Sequence, residues 1–511
     1  MPCRRNDLAR VPSDLIREPL VAESPSLTAR EDITSLTFLV NVSRQNATLL
    51  NVTRAEKKSS RMSTNSLTTE SRKRTASGLG GIADNKLLFR NMSRNLSNVN
   101  SDPLHMTHSW TKAVYSHIMH DDNGDVRVGT YVENFSTCNG GFKGYSNEFA
   151  LLRYMTIDRN YCHSERKGGE FIDEVIGQSE KVEFLKFAQG CFCLLCHSSS
   201  SIGSEYIFKR RNHLNDYFRS LKLTQFVHDS AMKVETFTIA ITRYEYANLY
   251  HTMTDWYNAF LVMHFFNKTS TQTDVLLMDA HPRGLLDQVW ATLFRRAMRI
   301  SDLNNVTHFN EIAWSIQGYN SPLLSHNLVR NPLITEFRDF VLSSYGLSSE
   351  GRPLDCLHLR ILFLWRRDYV AHPRKPSGEV NRKIANEEEL LEGTQSKYPN
   401  FTIQGVQIDT LEMRQQLQMI LDTDILIGMH GAGLTHALFL PPQAGLIELY
   451  PTYWSPSNQH FKAIARWRGL HYAQHQNTFP DLEKQNGMTI IPTQVVGDLL
   501  DKLLSEMCIT A

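Results

Sequence analysis

The sequence is short of the features that would place it quickly. It has no recognisable targeting segment: its best early apolar run, residues 36–40, is too short for a membrane span or a signal-peptide core. It has almost no net charge, 54 Lys+Arg against 53 Asp+Glu leaving +1, which argues against a nucleic-acid binder working through bulk electrostatics. It has no complete zinc pattern. Cys191-Phe192-Cys193-Leu194-Leu195-Cys196 looks like half a knuckle, but no second Cys/His pair follows at zinc spacing, His197 being adjacent and His213 distant. Disulfides or buried thiols are therefore the expectation for the eight cysteines, of which Cys3 and Cys508 lie at the ends. There is no Asp-x-Asp metal motif at a strand end. Asp422-Thr423-Asp424 has the string but precedes its strand, where a capping role is expected. The last four residues, Cys508-Ile509-Thr510-Ala511, are not an ER-retention signal.

What is present in excess is Asn-x-Ser/Thr. Acceptor sequons begin at Asn41, Asn46, Asn51, Asn91, Asn95, Asn134, Asn267, Asn305 and Asn400, too many for chance, and point to the secretory pathway. At 511 residues the chain has room for two or three domains. Residues 1–105 are rich in Ser, Thr, Asn, Arg and Lys without a sustained period and read as a disordered, stem-like region. Order is expected to begin between Trp110 and Val128.

Strands then alternate with helices. Residues 233–242 (KVETFTIAIT) alternate as a strand, 243–260 follow as a helix if Asn248 caps it, and 275–279 (VLLMD) read as a buried strand. Helices are expected over 285–299 and 334–345. After a crossover at 351–355 come a strand at 356–364, a polar loop at 369–380, a helix from Asn386, a strand at 401–406 and a helix at 411–421. The stretch 425–450 is the most informative: an apolar strand, the turn Gly428-Met429-His430-Gly431-Ala432-Gly433, a short helix over 434–440 stopped by Pro441-Pro442, and a second apolar strand carrying Glu448. That is a βαβ unit whose helix-start amides suit an anion. Further helices are expected at 461–468 and 492–506. The fold expected is α/β: two doubly wound, Rossmann-like domains facing a cleft, an acceptor-side domain over 106–350 and a nucleotide-sugar-binding domain over 351–511, the last helix free to pack back on the first.

Two groups of residues carry chemistry. Arg366 and Arg367 follow a strand directly and, with the amides of Gly431, Ala432 and Gly433, can neutralise a diphosphate, the guanidinium fork binding phosphate bidentately. Salt bridges to Asp368 and to Glu387–Glu389 are the competing use of the same arginines. Glu448 can accept the ribose hydroxyls, or be an acid left at a strand end. On the other side, His251 and Asp255 stand four apart on one helical face and are candidates for the base that deprotonates an acceptor hydroxyl.

These segments have a resemblance. RYEYANLYHTMTDWYNAF at 243–260, FLWRRDYVAHPR at 363–374, NEEEL at 386–390 and GMHGAGLTH at 428–436, with GGEFIDEVIGQ at 168–178 and FKAIARWRGLHY at 461–472, resemble glycosyltransferase family 61, the β-1,2-xylosyltransferases of N-glycan cores above all. The likeness runs over about residues 130–475. It implies a GT-B fold and inverting transfer of xylose from UDP-xylose to the core mannose of protein N-glycans. Arg366, Arg367, His430, Gly431, Ala432, Gly433 and Glu448 fall on the donor side. Asn248, Glu245 and Trp256 fall on the acceptor side, with Asp255 slightly favoured over His251 as base. It further implies catalysis without an obligatory divalent ion, and a Golgi enzyme with a membrane anchor ahead of its stem, an anchor not visible here. Relatives that transfer N-acetylglucosamine from UDP-GlcNAc to protein Ser/Thr share the Asn-x-x-His-x-x-x-Asp core and the HGAGL turn, so that donor is the alternative. A non-catalytic glycan-binding protein retaining the fold is a third reading.

Overall fold

The computed structural model describes residues 131, 133–197, 213–226 and 231–508. The stem-like region, the expected start of order and the sequons at Asn41, Asn46, Asn51, Asn91 and Asn95 lie outside these. The four sequon asparagines inside them, Asn134, Asn267, Asn305 and Asn400, are all exposed. No described helix is long and apolar enough to cross a membrane.

Two sheets carry the architecture. The first has ten strands: β1 (Glu133–Thr137), β2 (Phe142–Tyr145), β3 (Phe149–Asp158), β4 (Phe192–Leu195), β5 (Leu221–Thr224), β6 (Met232–Val234), β7 (Phe237–Ile241), β8 (Thr273–Leu277), β9 (Arg296–Arg299) and β10 (Val306–Trp314). Its order is β1-β2-β3-β10-β7-β8-β9, with β4 and β5 carried on β3 and β6 on β10. Strands β10, β7, β8 and β9 run parallel, while β1, β2, β3 and β10 pair antiparallel in succession. The sheet is thus mixed, not the doubly wound sheet expected for this half. A parallel neighbour needs a long crossover, and the 237–299 segment supplies helical ones for β7, β8 and β9.

The expected strand at 233–242 is split at Glu235-Thr236 into β6 and β7. The helix expected over 285–299 ends early, as Asp287–Leu293, and gives way to β9. Arg295 and Arg296 both bond the buried Asp274 carboxylate on β8, which draws the chain into the sheet edge.

The second sheet matches expectation. β11 (Arg360–Leu364), β12 (Thr402–Val406), β13 (Ile425–Met429), β14 (Gly445–Tyr450) and β15 (His471–Gln476) are all parallel in the order β12-β11-β13-β14-β15. Period-2 alternation sends Ile361, Phe363, Ile425, Ile427, Ile447 and Leu449 into one core and Leu362, Leu364, Leu426 and Leu446 into the other, so both faces are covered. Strand order reverses between β11 and β13, and in an open parallel sheet a ligand crevice lies at the carboxyl ends of the strands flanking such a switch point.

Three helices matter for the site. α1 (Leu214–Ser220) borders the first sheet, and α2 (Leu249–Phe265) is buried along nearly its whole length. A helix apolar all round must be covered all round. One side of α2 meets β7 of the first sheet, and another meets the turn after β13. The core holding Trp256, Phe260, Ile239 and Val275 is therefore continuous with that holding Leu364, Leu426 and Leu434. The last helix, Thr493–Met507, does not return to the first sheet; it packs on β15, β14 and the helix Glu387–Lys397. A disulfide from Cys508 to Cys356 ties its end beside the start of β11. Cys138–Cys196 and Cys162–Cys191 are bonded too, and Cys193 is a buried thiol, so the knuckle-like stretch is disulfide and core.

Candidate active site

The first-sheet side of the site is built on Arg243, at the end of β7. Its fully buried guanidinium bonds Asp279 at 2.6 and 3.0 Å and Asp287 at 2.6 Å, and Asp287 in turn bonds Arg299. With its charge met by two carboxylates, Arg243 pins the loop 243–247. Glu245 folds onto that loop, accepting from the amides of Tyr246 at 2.7 Å and Ala247 at 3.1 Å. Burial opposes its charge, but His372 and these amides hold its pKa below the ordinary glutamate value. His372 lies 3.5 Å and Arg374 3.9 Å from its other oxygen, so the AHPR stretch clasps the two halves through Glu245.

Asn248 then caps α2 as expected, its side chain accepting from the amides of Tyr250 at 3.0 Å and His251 at 3.4 Å. His251, in the first turn, meets the Tyr244 ring edge-on at 4.8 Å. Its Nδ1 is buried and unpartnered, and burial lowers its pKa, so the ring is neutral and able to accept a proton.

Asp255 is placed differently from expectation. It is 1% exposed, Oδ2 accepts from the Tyr244 amide at 2.9 Å, and Oδ1 is buried against Gly318, where a Cβ would come within 2.6 Å. Burial raises its pKa well above the ordinary carboxyl value, outweighing that amide and Arg243. It cannot touch an acceptor hydroxyl, and holds Tyr244 beside His251 instead. Trp256 is also a core residue, packed edge-on against Trp290 at 6.3 Å.

The second-sheet side sits at the switch point. Beyond β11, Arg366 runs across the turn that follows β13, donating from Nε to the Asn381 carbonyl at 3.1 Å. Its guanidinium lies directly over Gly431, where any Cβ would overlap Nη1 and lie 2.6 Å from Cζ. Arg382, unmarked by any sequence pattern, comes to the same place from the polar loop. It donates to the His430 carbonyl at 2.7 Å and stacks 4.1 Å over the half-exposed Trp454. Its backbone is left-handed, φ 62°. Burial first, and the nearby Arg366 second, bring its pKa down to about 10, and burial lowers Arg366 too. Among the described residues neither guanidinium has a carboxylate partner. Two part-buried like charges with no ion-paired carboxylate, Asp409 acting on Arg366 only at longer range, stand beside the free amides at the start of the turn Ala432–Phe439 and make an anion site. That turn is the short helix expected over 434–440, a 3-10 helix beginning two residues earlier, at Ala432.

Arg367 takes the competing role: its side chain is 56% exposed and bonded to Glu387 at 2.5 Å. Glu448 is wholly buried, because alternation along β14 turns it into the interior. Its carboxylate meets His430 Nδ1 at 2.5 Å and the Tyr472 hydroxyl at 2.7 Å, which orients His430 and leaves no oxygen for a ribose. Arg382 had no sequence signal, and the segment 461–472 that ends in Tyr472 gave no sign of that tyrosine's bond to Glu448, which depends on the register of β15 on β14. Asp422 and Asp424 lie at the opposite end of the sheet, bonded to Arg360 and Arg352.

The two sides meet across an open cavity of about 340 Å³, lined in part by Asn248, Trp365, Arg366, Arg382, Ala432 and Gly433. His251 follows one helical turn beyond the lining residue Asn248 on α2. Rings bridge the halves there: His251 to Tyr250 at 5.6 Å, Tyr250 to His460 at 4.1 Å, His460 to His430 at 6.3 Å. Burial and the neighbouring His326, His430 and His251 bring the His460 pKa down to about 3, so that ring adds no positive charge.

An anion-binding switch point facing a neutral histidine is the layout of a group-transfer enzyme that holds a phosphorylated donor. Comparison with known proteins fixes the class, for residues 249–447 match the family model described as Glycosyltransferase 61, and the enzyme is a glycosyltransferase. The match runs from the start of α2 almost to the end of β14. The chain is 28% identical to the beta-1,2-xylosyltransferase of Arabidopsis thaliana over 60% of its own length and 69% of that protein's. It is 27% identical to the beta-1,2-xylosyltransferase RCN11 of Oryza sativa subsp. japonica over 60% of its own length and 63% of that protein's. The EGF domain-specific O-linked N-acetylglucosamine transferase of Rattus norvegicus is 32% identical over 45% of this chain and 43% of that protein.

Proposed function

We propose that this protein is an inverting xylosyltransferase of GT-B type that moves xylose from UDP-xylose, in β-1,2 linkage, to the core mannose of protein N-glycans in the Golgi lumen. The observation that carries the transferase reading is the part-buried pair Arg366 and Arg382, neither of them ion-paired, meeting at Gly431 and the His430 carbonyl at the switch point. The pair and the Ala432–Gly433 amides bind the donor diphosphate. His251 takes the proton of the acceptor hydroxyl as that oxygen bonds to the anomeric carbon. The bond from that carbon to the phosphate oxygen breaks on the opposite face, and UDP leaves with the electron pair, its growing charge met by the two guanidiniums. His430, oriented by Glu448, lies between the two groups.

The likeness to the two plant enzymes over the larger share of the chain favours xylose and a glycan acceptor. The shorter match to the EGF domain-specific enzyme sets the alternative, N-acetylglucosamine on protein Ser/Thr. The purified protein, given UDP-xylose and UDP-N-acetylglucosamine over N-glycan and peptide acceptors, is expected to transfer xylose to the glycan. Preference for N-acetylglucosamine would overturn the donor, and no transfer with any pair would leave the non-catalytic reading. Because the arginines and amides meet the leaving charge, no divalent ion is required. Loss of activity in EDTA with recovery in manganese would refute that.

A further inference from the structure

A second cavity, beside the first sheet, shares no lining residue with the site above. It is an open depression of about 630 Å³, within the range of ligand pockets at roughly 300–1,000 Å³. It lies where β3 changes neighbours: Leu152 still pairs with Phe142 on β2, whereas Met155 pairs with Leu194 on β4. Between these two strands a gap opens, flanked by the turn Cys138–Gly140 and by Leu195, and the Cys138–Cys196 disulfide joins its two sides.

Tyr154 stands in this gap. Its backbone is left-handed at φ 56°, a conformation that is a genuine outlier for a bulky side chain. It is skipped by the ladder to β10, which pairs Arg153 with Glu311 and Met155 with Phe309 on either side. Both strand neighbours are fixed, so the strain is imposed by a well-determined frame, the circumstance in which such outliers serve a function. The result is a tyrosine 53% exposed in the middle of a core strand, its ring nearly parallel to that of His308. Cys138 and Asn139 are also left-handed, at φ 52° and 53°, so strained backbone lines both sides.

The polar side chains around the ring are Asn139, Asn310, His197 and the Arg153–Glu311 ion pair, which is 3.1 Å long. An exposed aromatic face, with amides that donate and accept beside a carboxylate already held by Arg153 and Lys268, suits a polyhydroxylated ring. We infer that this depression is an accessory carbohydrate-binding site, holding a sugar residue of a glycan against Tyr154 while another part of that glycan occupies the catalytic cleft. The second clause rests on the glycan-acceptor reading above; the first does not.

The test is binding of a branched mannose oligosaccharide to the whole protein without donor, read by saturation-transfer NMR and titration calorimetry. Tyr154→Asn keeps a residue that tolerates the left-handed backbone but removes the ring. The expected result is a loss of affinity of about tenfold or more in Tyr154→Asn and a smaller loss in Asn310→Ala. In transfer assays, Tyr154→Asn should raise KM for the branched acceptor and leave a single mannoside acceptor unchanged. Wild-type affinity in a folded Tyr154→Asn would overturn the site. So would an equal loss of transfer to both acceptors. If the protein transfers no sugar at all, the binding experiment still decides the site, and only the function proposed above fails.

Discussion

Gly431→Ala isolates the donor site with one methyl group. Gly431 has φ 169°, extended backbone that alanine adopts freely, so the substitution carries no conformational penalty of its own. Its whole effect falls on Arg366, whose Nη1 occupies the place of the new Cβ and whose Cζ would be 2.6 Å away. The guanidinium is the end of a flexible side chain and can swing aside, so the fold should persist. What is lost is its hold on the diphosphate. A hydrogen bond to a charged group contributes about 1.5–3 kcal/mol. That corresponds to a rise of roughly 10- to 150-fold in the Kd for UDP. Calorimetric titration of UDP into wild type, Gly431→Ala, Arg366→Ala and the double variant measures it. The two changes act through one group, so the double variant should be little worse than Arg366→Ala. Unchanged UDP affinity in Gly431→Ala, or fully additive losses, would refute the placement of the diphosphate under Arg366.

Other residues give sharper contrasts. Arg382→Ala should weaken UDP binding about as much as Arg366→Ala, whereas Arg367→Ala, which loses only an exposed pair worth about 0–1 kcal/mol, should leave UDP affinity nearly unchanged in the same titration. His251→Ala should reduce turnover by about 100-fold or more with UDP binding intact. Since burial lowers the His251 pKa, the acid limb of kcat/KM should fall below pH 6.5, the ordinary imidazole value, and vanish in that variant. Asp255→Asn should act on stability rather than chemistry. With a carboxyl pKa raised in the folded state, wild type loses stability as pH rises above the ordinary value of 3.8 until the raised value is passed. The asparagine variant should therefore gain on wild type over that climb in thermal melts, and a constant offset at all pH values would contradict the burial argument.

Much of the second sheet was legible because its signals agree. Glycine turn, proline stop and two apolar runs all mark the same βαβ unit, and the Asn248 cap marks the start of α2 as plainly. The site was legible only where a residue's role follows from its own position along the chain. Arg366 follows a strand, and Arg366 reaches the switch point. Glu448 also ends a βαβ unit, but its place in the alternation of β14, with Ile447 and Leu449 on the opposite face, turns it inward onto His430. His251 and Asp255 share a helical face in sequence, yet helical spacing does not reveal that Gly318 and Tyr244 close over the aspartate. Arg382 reaches the site from a loop with no periodicity to read. The mixed character of the first sheet was hidden for a related reason, since strand direction depends on which distant segments pair.

The most direct measurement is the structure of the protein with UDP bound. The account predicts the diphosphate between Arg366 and Arg382, over Gly431 and the Ala432–Gly433 amides, with His251 facing it across the cleft and Glu448 still bonded to His430. A diphosphate held away from both guanidiniums, or a ribose bonded to Glu448 in place of His430, would contradict it.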